Sequence, residues 1–207
     1  MEITAITICV NYSDILKHML KQNSQFFKVW YIVTSQEDTL TQTLIQEFNL
    51  DNVKILIYDD FYKNNSKFNK GGALEFAQKY IDENHKDTNI LILDADIYLP
   101  DHFMKSLPEK LEENTLYGVK ERWDYPKLED FIENKNAHKY THGGNFVGFF
   151  QLYNQSCSYK YENSYNASSC DLSFLSKFHE KKHIEVSVRH MGEECVNWDG
   201  RVHFGIF

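Results

Sequence analysis

The chain has 207 residues, of which 42% are hydrophobic and 15% aromatic, and its formal net charge at pH 7 is −8. This length and composition suit one globular domain with a buried core and exclude a disordered chain. The acidic balance argues against broad nucleic-acid binding, so we expect no nucleic-acid partner.

The N-terminal stretch MEITAITICV has no basic segment followed by a long apolar run, so we predict no signal peptide. No apolar run approaches the roughly 18–20 residues needed to span a bilayer. We therefore expect no membrane span and a cytoplasmic location. The four cysteines, at positions 9, 157, 170 and 195, show no CxxC spacing, which favours reduced thiols over a disulfide framework.

The first half of the chain alternates between predicted strands and helices. The predicted strands are ITAITICV (3–10), KVWYIVTS (28–35), VKILIYDD (53–60) and NILILDAD (89–96). The predicted helices cover 14–21, with Ser13 as the cap, 40–48 and 70–81. Continuous apolar strands separated by amphipathic helices predict a parallel sheet covered on both faces. Ligands bind such sheets at the carboxyl ends of the strands, which here are 10–14, 34–38, 58–62 and 94–96.

The second half has a less regular pattern. The predicted elements are the strands TLYGVKERW (115–123), NFVGFFQLYN (145–154) and HIEVSVRH (183–190) and a short helix, CDLSFLSKF (170–178). We therefore predict an α/β fold with a mostly parallel, Rossmann-like central sheet flanked by helices and a mixed, loop-rich C-terminal half. One domain, 1–207, would comprise a nucleotide-binding half, 1–100, and an acceptor and metal half, 101–207.

Two carboxylates end the apolar run ILILDADIYLP. Asp94 and Asp96 are two positions apart, so their side chains point the same way from an extended backbone. Adjacent like charges repel unless a cation lies between them, and paired carboxylates suit Mg²⁺ or Mn²⁺. The alternative is that both residues cap a helix or face solvent.

A glycine pair opens the predicted helix at 70–81, directly after Lys70. The free N–H groups of a helix N-terminus favour phosphate, so Gly71 is a candidate phosphate contact. Close packing of the helix explains the glycines equally well.

Further candidates lie in the second half. His190 follows the last predicted strand, where an imidazole could complete a metal site or remain structural, and Trp198 and Arg201 suit a nucleotide diphosphate or a sugar. Asp171 begins a predicted helix, as its cap or as a general base. Backbone at GGNF (143–146) could approach a sugar, and residues 121–125 could line an acceptor cleft or form a solvated loop.

The order of these motifs resembles the GT-A glycosyltransferases. The resemblance covers nearly the whole chain: a βαβ first half, K-G-G-A opening a helix, the DxD in ILILDADIYLP, and a late H-x-G in HMGEECVNWDGR. It extends to the compact glycosyltransferases encoded by large DNA viruses of algae, which would place the protein in a host cytoplasm.

The resemblance implies a role for each matching position. Asp94, Asp96 and His190 would hold Mn²⁺ or Mg²⁺, and Asp171 would be catalytic, as base in an inverting enzyme or as stabiliser of the sugar cation in a retaining one. The implied nucleotide-sugar contacts are Val10, Asn11, Tyr12, Asp14, Thr34, Asp59, Lys70, Gly71, Asp94, Ala95, Asp96, Trp198 and Arg201.

The implied reaction is metal-dependent transfer of a sugar from a nucleotide-diphosphate sugar, UDP-linked, to a glycan or another hydroxyl acceptor. One alternative is a sugar-phosphate nucleotidyltransferase, although those enzymes have a Gly- and Arg-rich loop after the first strand, where this chain has CVNYSDILKH. The other alternative is a nucleotide-sugar-binding protein without turnover.

Overall fold

A computed structural model describes residues 1–86, 88–141 and 148–192. In these ranges the strands are β1 (Ile3–Ile8), β2 (Val29–Thr34), β3 (Val53–Ile57), β4 (Asn89–Leu93), β5 (Ile97–Tyr98), β6 (Thr115–Tyr125), β7 (His138–Thr141), β8 (Phe150–Asn154) and β9 (Glu180–Met191). The helices are α1 (Ser13–Ser24), α2 (Thr39–Phe48), α3 (Lys70–Asn84), α4 (Phe103–Ser106), α5 (Leu128–Glu133) and α6 (Ala167–Ser176), with a 3₁₀ segment at Asp60–Asn65.

All nine strands of the described ranges belong to one sheet. Its order is β3-β2-β1-β4-β8-β6-β9-β5, with β7 paired to β6. The first four strands are parallel, whereas β8 runs antiparallel to β4 and β6, and β6 is parallel to β9. The predicted parallel first half and mixed second half are therefore confirmed, and they share a continuous sheet.

Helices cover both faces of the sheet, as the apolar strands predicted. Leu16 of α1 packs in the same buried cluster as Leu91 of β4. Ala73 of α3 and Phe174 of α6 pack with Ile90, the neighbour of Leu91 on the same strand, in a second cluster. Because successive strand residues face opposite sides, β4 contributes to both cores.

A buried hydroxyl ties three parallel strands together. Thr7 Oγ1 accepts the indole N–H of Trp30 at 2.9 Å and donates to the Leu93 carbonyl at 2.7 Å. All three residues are fully buried, so these bonds satisfy polar groups that water does not reach. They also fix the last residue of β4, directly before Asp94.

Two predicted helix starts are wrong. The first helix begins at Ser13 itself, because the Tyr12 carbonyl already accepts the N–H groups of Ile15 and Leu16, and Tyr12 at the cap position makes no side-chain cap bond. The last helix begins before Asp171, at Ala167, since the extended Asn166 accepts the Ser169 N–H at 3.1 Å.

The strand predicted at 145–154 begins at Phe150 in the structure, and 145–147 lie outside the described residues. The strand predicted at 115–123 extends to Tyr125 as β6 and pairs with β9, so the alternative of a solvated loop at 121–125 is wrong. In the described part of the chain, Cys9, Cys157 and Cys170 are buried free thiols. No helix there is long and apolar enough to cross a membrane.

The cap of α6 can be tested by substitution. Asn166→Ala removes the side-chain acceptor for an orphan N–H, and we expect it to lower the free energy of unfolding by about 1 kcal/mol. Asn166→Asp keeps the acceptor and should leave stability nearly unchanged. Urea denaturation followed by circular dichroism measures both; equal stabilities for the two variants would contradict the assigned helix start.

Candidate active site

Backbone bonds hold the two DxD carboxylates at the carboxyl edge of β4. The Asp94 N–H donates to the Phe149 carbonyl at 3.0 Å, next to β8. The Asp96 carbonyl accepts the Met191 N–H at 2.9 Å, at the end of β9. The pair is therefore fixed from both sides by strands of the second half.

The ammonium of Lys70 lies between carboxylates from two distant parts of the chain. Lys70 is the first residue of α3, and its Nζ is 2.9 Å from Asp94 Oδ1 and 3.2 Å from Asp171 Oδ2. Burial alone would lower the pKa of this lysine, but the two carboxylates outweigh it and hold the pKa above its ordinary value. Lys70 is therefore a buried, charged group.

Asp171 is held by more than the ion pair. Its Oδ1 accepts from the hydroxyl of buried Tyr161 at 3.2 Å, and the Tyr161 hydroxyl also contacts the buried amide of Gln151. Its carboxylate lies against Gly148, where an added Cβ would be 1.8 Å from Oδ2. Both carboxylate oxygens thus have buried donors, and a side chain at position 148 would collide with them.

A second ion network surrounds Asp96. His190 Nε2 is 3.3 Å from Asp96 Oδ2, and His190 Nδ1 is 3.0 Å from Asp124 Oδ1. Arg122 holds Asp124 through two bonds, of 2.7 and 3.0 Å. Burial opposes protonation of the imidazole, but Asp96 and Asp124 raise the pKa of His190 to about 9. The His190 cation in turn holds the pKa of Asp96 below its ordinary value against the effect of burial.

These contacts place the three predicted metal ligands in two separate ion networks. Asp94 bonds to Lys70, and Asp96 bonds to His190. Within the described residues, no three His, Cys, Asp or Glu side chains are arranged to hold a metal ion. The two carboxylates are instead neutralised by side-chain cations, which shows that this edge of the sheet favours positive charge.

A third group of predicted residues meets at the carboxyl ends of β1 and β2. The carboxylate Oδ2 of Asp38 accepts from the Asn11 N–H at 2.7 Å and from Thr34 Oγ1 at 3.0 Å. Asp59, after β3, accepts the Gln36 N–H at 2.8 Å. Asn11 has a positive φ of 61°, a conformation that asparagine tolerates better than most residues. Asn11 and Thr34 are therefore brought together, with Asp59 bonded to the same loop.

The remaining predicted nucleotide-sugar contacts differ in burial and packing. Val10, Tyr12 and Ala95 are buried beside these strand ends, whereas Asp14 is exposed in the first turn of α1. An added Cβ at Gly71 would lie 2.0 Å from the Glu162 carbonyl oxygen. Close packing therefore accounts for this glycine.

The N–H groups at the start of α3 are also occupied. Gly71 N–H donates to Ser164 Oγ at 3.1 Å, and Gly72 N–H donates to Asn69 Oδ1 at 2.9 Å. A phosphate at this helix start would have to displace these bonds. Trp198, Arg201 and the glycine pair at 143–144 lie outside the described residues.

Sequence reasoning missed Asp38 and Tyr161, and it considered Asp124 only as part of an acceptor cleft or a solvated loop. Alternation along β6 places Arg122 and Asp124 on one side of the strand, and this pattern could have paired them. Their contact with His190 depends on the pairing of β6 with β9, which local patterns do not encode. Asp38 had a detectable signal as the acidic residue before a predicted helix, and it is the N-cap of α2.

No protein-family model matches the chain, and no curated protein matches it. Solved structures do. A 4-diphosphocytidyl-2C-methyl-D-erythritol synthase matches with a TM-score of 0.54 at 14% identity, over 93% of this chain and 90% of that one. An inositol-1-phosphate CTP transferase from T. maritima matches with a TM-score of 0.51 at 6% identity, over 92% of this chain and 89% of that one.

The galactosyltransferase LgtC, solved with donor and acceptor sugar analogs, matches with a TM-score of 0.44 at 15% identity. That match covers 73% of this chain but 58% of LgtC, so the chain spans less than two thirds of the length of LgtC. At these identities the similarities concern the fold. The predicted α/β fold, with a Rossmann-like central sheet flanked by helices, is confirmed.

The Lys70 ion pairs can be tested through stability. Lys70→Met leaves two carboxylates without their cation, and we expect the free energy of unfolding to fall by about 2 kcal/mol. This is below the value for a fully buried pair because 34% of the Asp94 side chain is exposed. Lys79→Met, on the exposed surface of the same helix, should change stability by less than about 0.5 kcal/mol. Chemical denaturation at pH 7 measures both, and equal effects would refute the buried ion pair.

Proposed function

We propose that the protein is a metal-dependent glycosyltransferase that moves a sugar from a nucleotide-diphosphate sugar, UDP-linked, to a hydroxyl group of a glycan acceptor. The observation that supports this most is the convergence of Lys70, Asp94 and Asp171. Their positions are separated by 24 and 101 residues from Lys70, yet one ammonium bonds to both carboxylates. His190 and Asp96 meet at the same edge of the sheet.

Asp94, Asp96 and His190 would hold Mn²⁺ or Mg²⁺. Two carboxylates and an imidazole are suitable donors for Mn²⁺, and the present partners of these carboxylates are both cations, so the site is already one that attracts positive charge. The bound metal would act as a Lewis acid on the donor diphosphate. For this binding Lys70 would have to release Asp94, and His190 would have to lose the proton on the Nε2 that faces Asp96, because only a neutral imidazole binds a metal.

Lys70 and Asp171 supply the remaining charges of the site. Lys70, once released from Asp94, has a buried ammonium that can pair with the diphosphate as that group departs. Asp171 can then stabilise positive charge on the sugar, a role that suits a carboxylate whose oxygens already have fixed donors in Tyr161 and Lys70. As a general base, it would first have to lose one of those bonds.

The nucleoside would bind at the ends of β1 to β3. Asn11 and Thr34 are joined there through Asp38, and Asp59 is bonded to the loop that follows β2. The carboxyl edge of a parallel sheet is where such folds bind ligands, and this edge continues directly to Asp94. A nucleotide sugar lying along the edge would reach from Asn11 to Asp171.

Donor binding should depend on metal. We expect calorimetric titration with UDP-glucose and UDP-galactose to show at least about tenfold tighter binding with Mn²⁺ than with EDTA for the preferred donor, because the ion bridges carboxylates and diphosphate. Asp94→Asn should remove this difference. Asp51→Asn, at an exposed turn before β3, should retain it.

Three results would contradict the proposal. Equal affinity in Mn²⁺ and EDTA would exclude the metal bridge. If the UDP-sugar binds but mass spectrometry detects neither transfer nor hydrolysis of its sugar, the protein would be a binding protein. Release of pyrophosphate from CTP or UTP in the presence of a sugar phosphate, without sugar transfer, would indicate a nucleotidyltransferase.

Asp171→Asn should affect turnover more than binding. We expect kcat to fall by about 10²-fold or more, since the amide cannot stabilise a cation or accept a proton as the carboxylate does, while the donor Kd changes by less than about threefold. Mass spectrometry of donor hydrolysis measures kcat, and calorimetry measures the donor Kd. Asp51→Asn is the control for both. Unchanged turnover would remove Asp171 from the catalytic residues.

A further inference from the structure

A polar cavity lies beside the start of α3, outside the group of side chains that meet at Lys70. Its volume is about 310 Å³, within the lower range of small-molecule sites. The lining residues are Asp60, Lys63, Asn64, Ser66, Asn69 and Asn163. Every one of them carries a hydrogen-bonding side chain, and none is aromatic or aliphatic.

The inner wall of the cavity is fixed by Asn69. This buried residue caps α3, and its Oδ1 accepts the N–H groups of Gly72 at 2.9 Å and Ser164 at 2.8 Å. Its Nδ2 donates to Tyr58 at 3.1 Å and to Asn163 Oδ1 at 2.9 Å. All four hydrogen bonds available to the amide are made, so the wall does not need a ligand to become ordered.

The network at Asn69 orients Asn163. Because Asn163 Oδ1 accepts from Asn69, its Nδ2 group is on the other side of the amide. No described residue accepts from this Nδ2, and none bonds to the Ser66 hydroxyl. The cavity therefore has fixed amide and hydroxyl groups with unused hydrogen-bonding capacity.

The charges of the cavity cancel. Lys63 Nζ is 3.0 Å from Asp60 Oδ2, and the first N–H groups of α3 are bonded within the protein. An anion such as phosphate would therefore meet no free cation here. A nucleobase would lack a stacking partner because no lining side chain is aromatic, and an apolar ligand would leave the polar lining groups without hydrogen bonds.

We propose that this cavity binds a neutral, hydroxyl-rich ligand, namely a saccharide unit of the acceptor glycan. Vicinal hydroxyl groups match the N–H groups of Asn163 and the hydroxyl of Ser66, which keep unused hydrogen-bonding capacity, whereas the Asn69 amide is saturated. Asn69 directly precedes Lys70, so the cavity adjoins the candidate active site. Saccharide binding itself does not depend on the proposed function, whereas assigning the saccharide to the acceptor rests on it.

Titrations by saturation-transfer NMR without donor or metal test the binding. The probes are the methyl glycosides of glucose, galactose, mannose, xylose and N-acetylglucosamine, with maltotriose and cellotriose. We expect at least one to bind the wild-type protein. Asn163→Asp keeps the acceptor for Asn69 but removes the free N–H donors, and Ser66→Ala removes the hydroxyl. Each should raise the Kd about three- to tenfold.

Asn84→Ala is the matched control, an exposed asparagine at the other end of α3, about 20 Å away along the helix. Its Kd should equal that of the wild-type protein. Absence of binding by every neutral probe would overturn the proposal, as would equal Kd values for all variants or preferential binding of glucose 6-phosphate. Failure of UDP-sugar binding would contradict the proposed function instead and would leave these Kd values unaffected.

Discussion

The ammonium group of Lys70 lies between two carboxylates that come from different parts of the chain, Asp94 at the end of β4 and Asp171 in α6. Without that charge, bringing the carboxylate of α6 to the edge of the sheet would cost free energy, because two neighbouring anions in a partly buried space repel each other. An ion pair between the first residue of α3 and the middle of α6 thus adds to the apolar packing of the two helices on one face. The lysine links the first half of the chain to the second.

Carboxylates and cations are paired in the two networks around Asp94 and Asp96. Lys70 neutralises Asp94, while His190 lies between Asp96 and Asp124. Each carboxylate of these two networks therefore has a cation within bonding distance, which offsets part of the desolvation penalty. The proposed donor diphosphate and its divalent ion would bring both kinds of charge, so their binding would leave no ion of these networks uncompensated.

Much of the fold could be predicted from local patterns, because long apolar runs and helical spacing are properties of neighbouring residues. The position of Asp94 and Asp96 at a strand end followed from the same patterns. The partner of Asp94 did not, since Lys70 reaches it only after α3 docks on the sheet. The start of α6 was placed too late because Asn166, an equally good cap, lies five residues before Asp171.

Gly148 allows α6 to approach closely enough for Asp171 to contact the backbone at position 148. A Cβ at this position would lie 2.4 Å from the Cβ of Asp171, so rotating the aspartate side chain would not relieve the contact. Helix α6 would have to retreat by about 1 Å to restore ordinary packing, a displacement large enough to cost roughly a hundredfold in rate when a catalytic group is involved. A side chain at position 148 would therefore displace the whole of α6, and not only the carboxylate of Asp171.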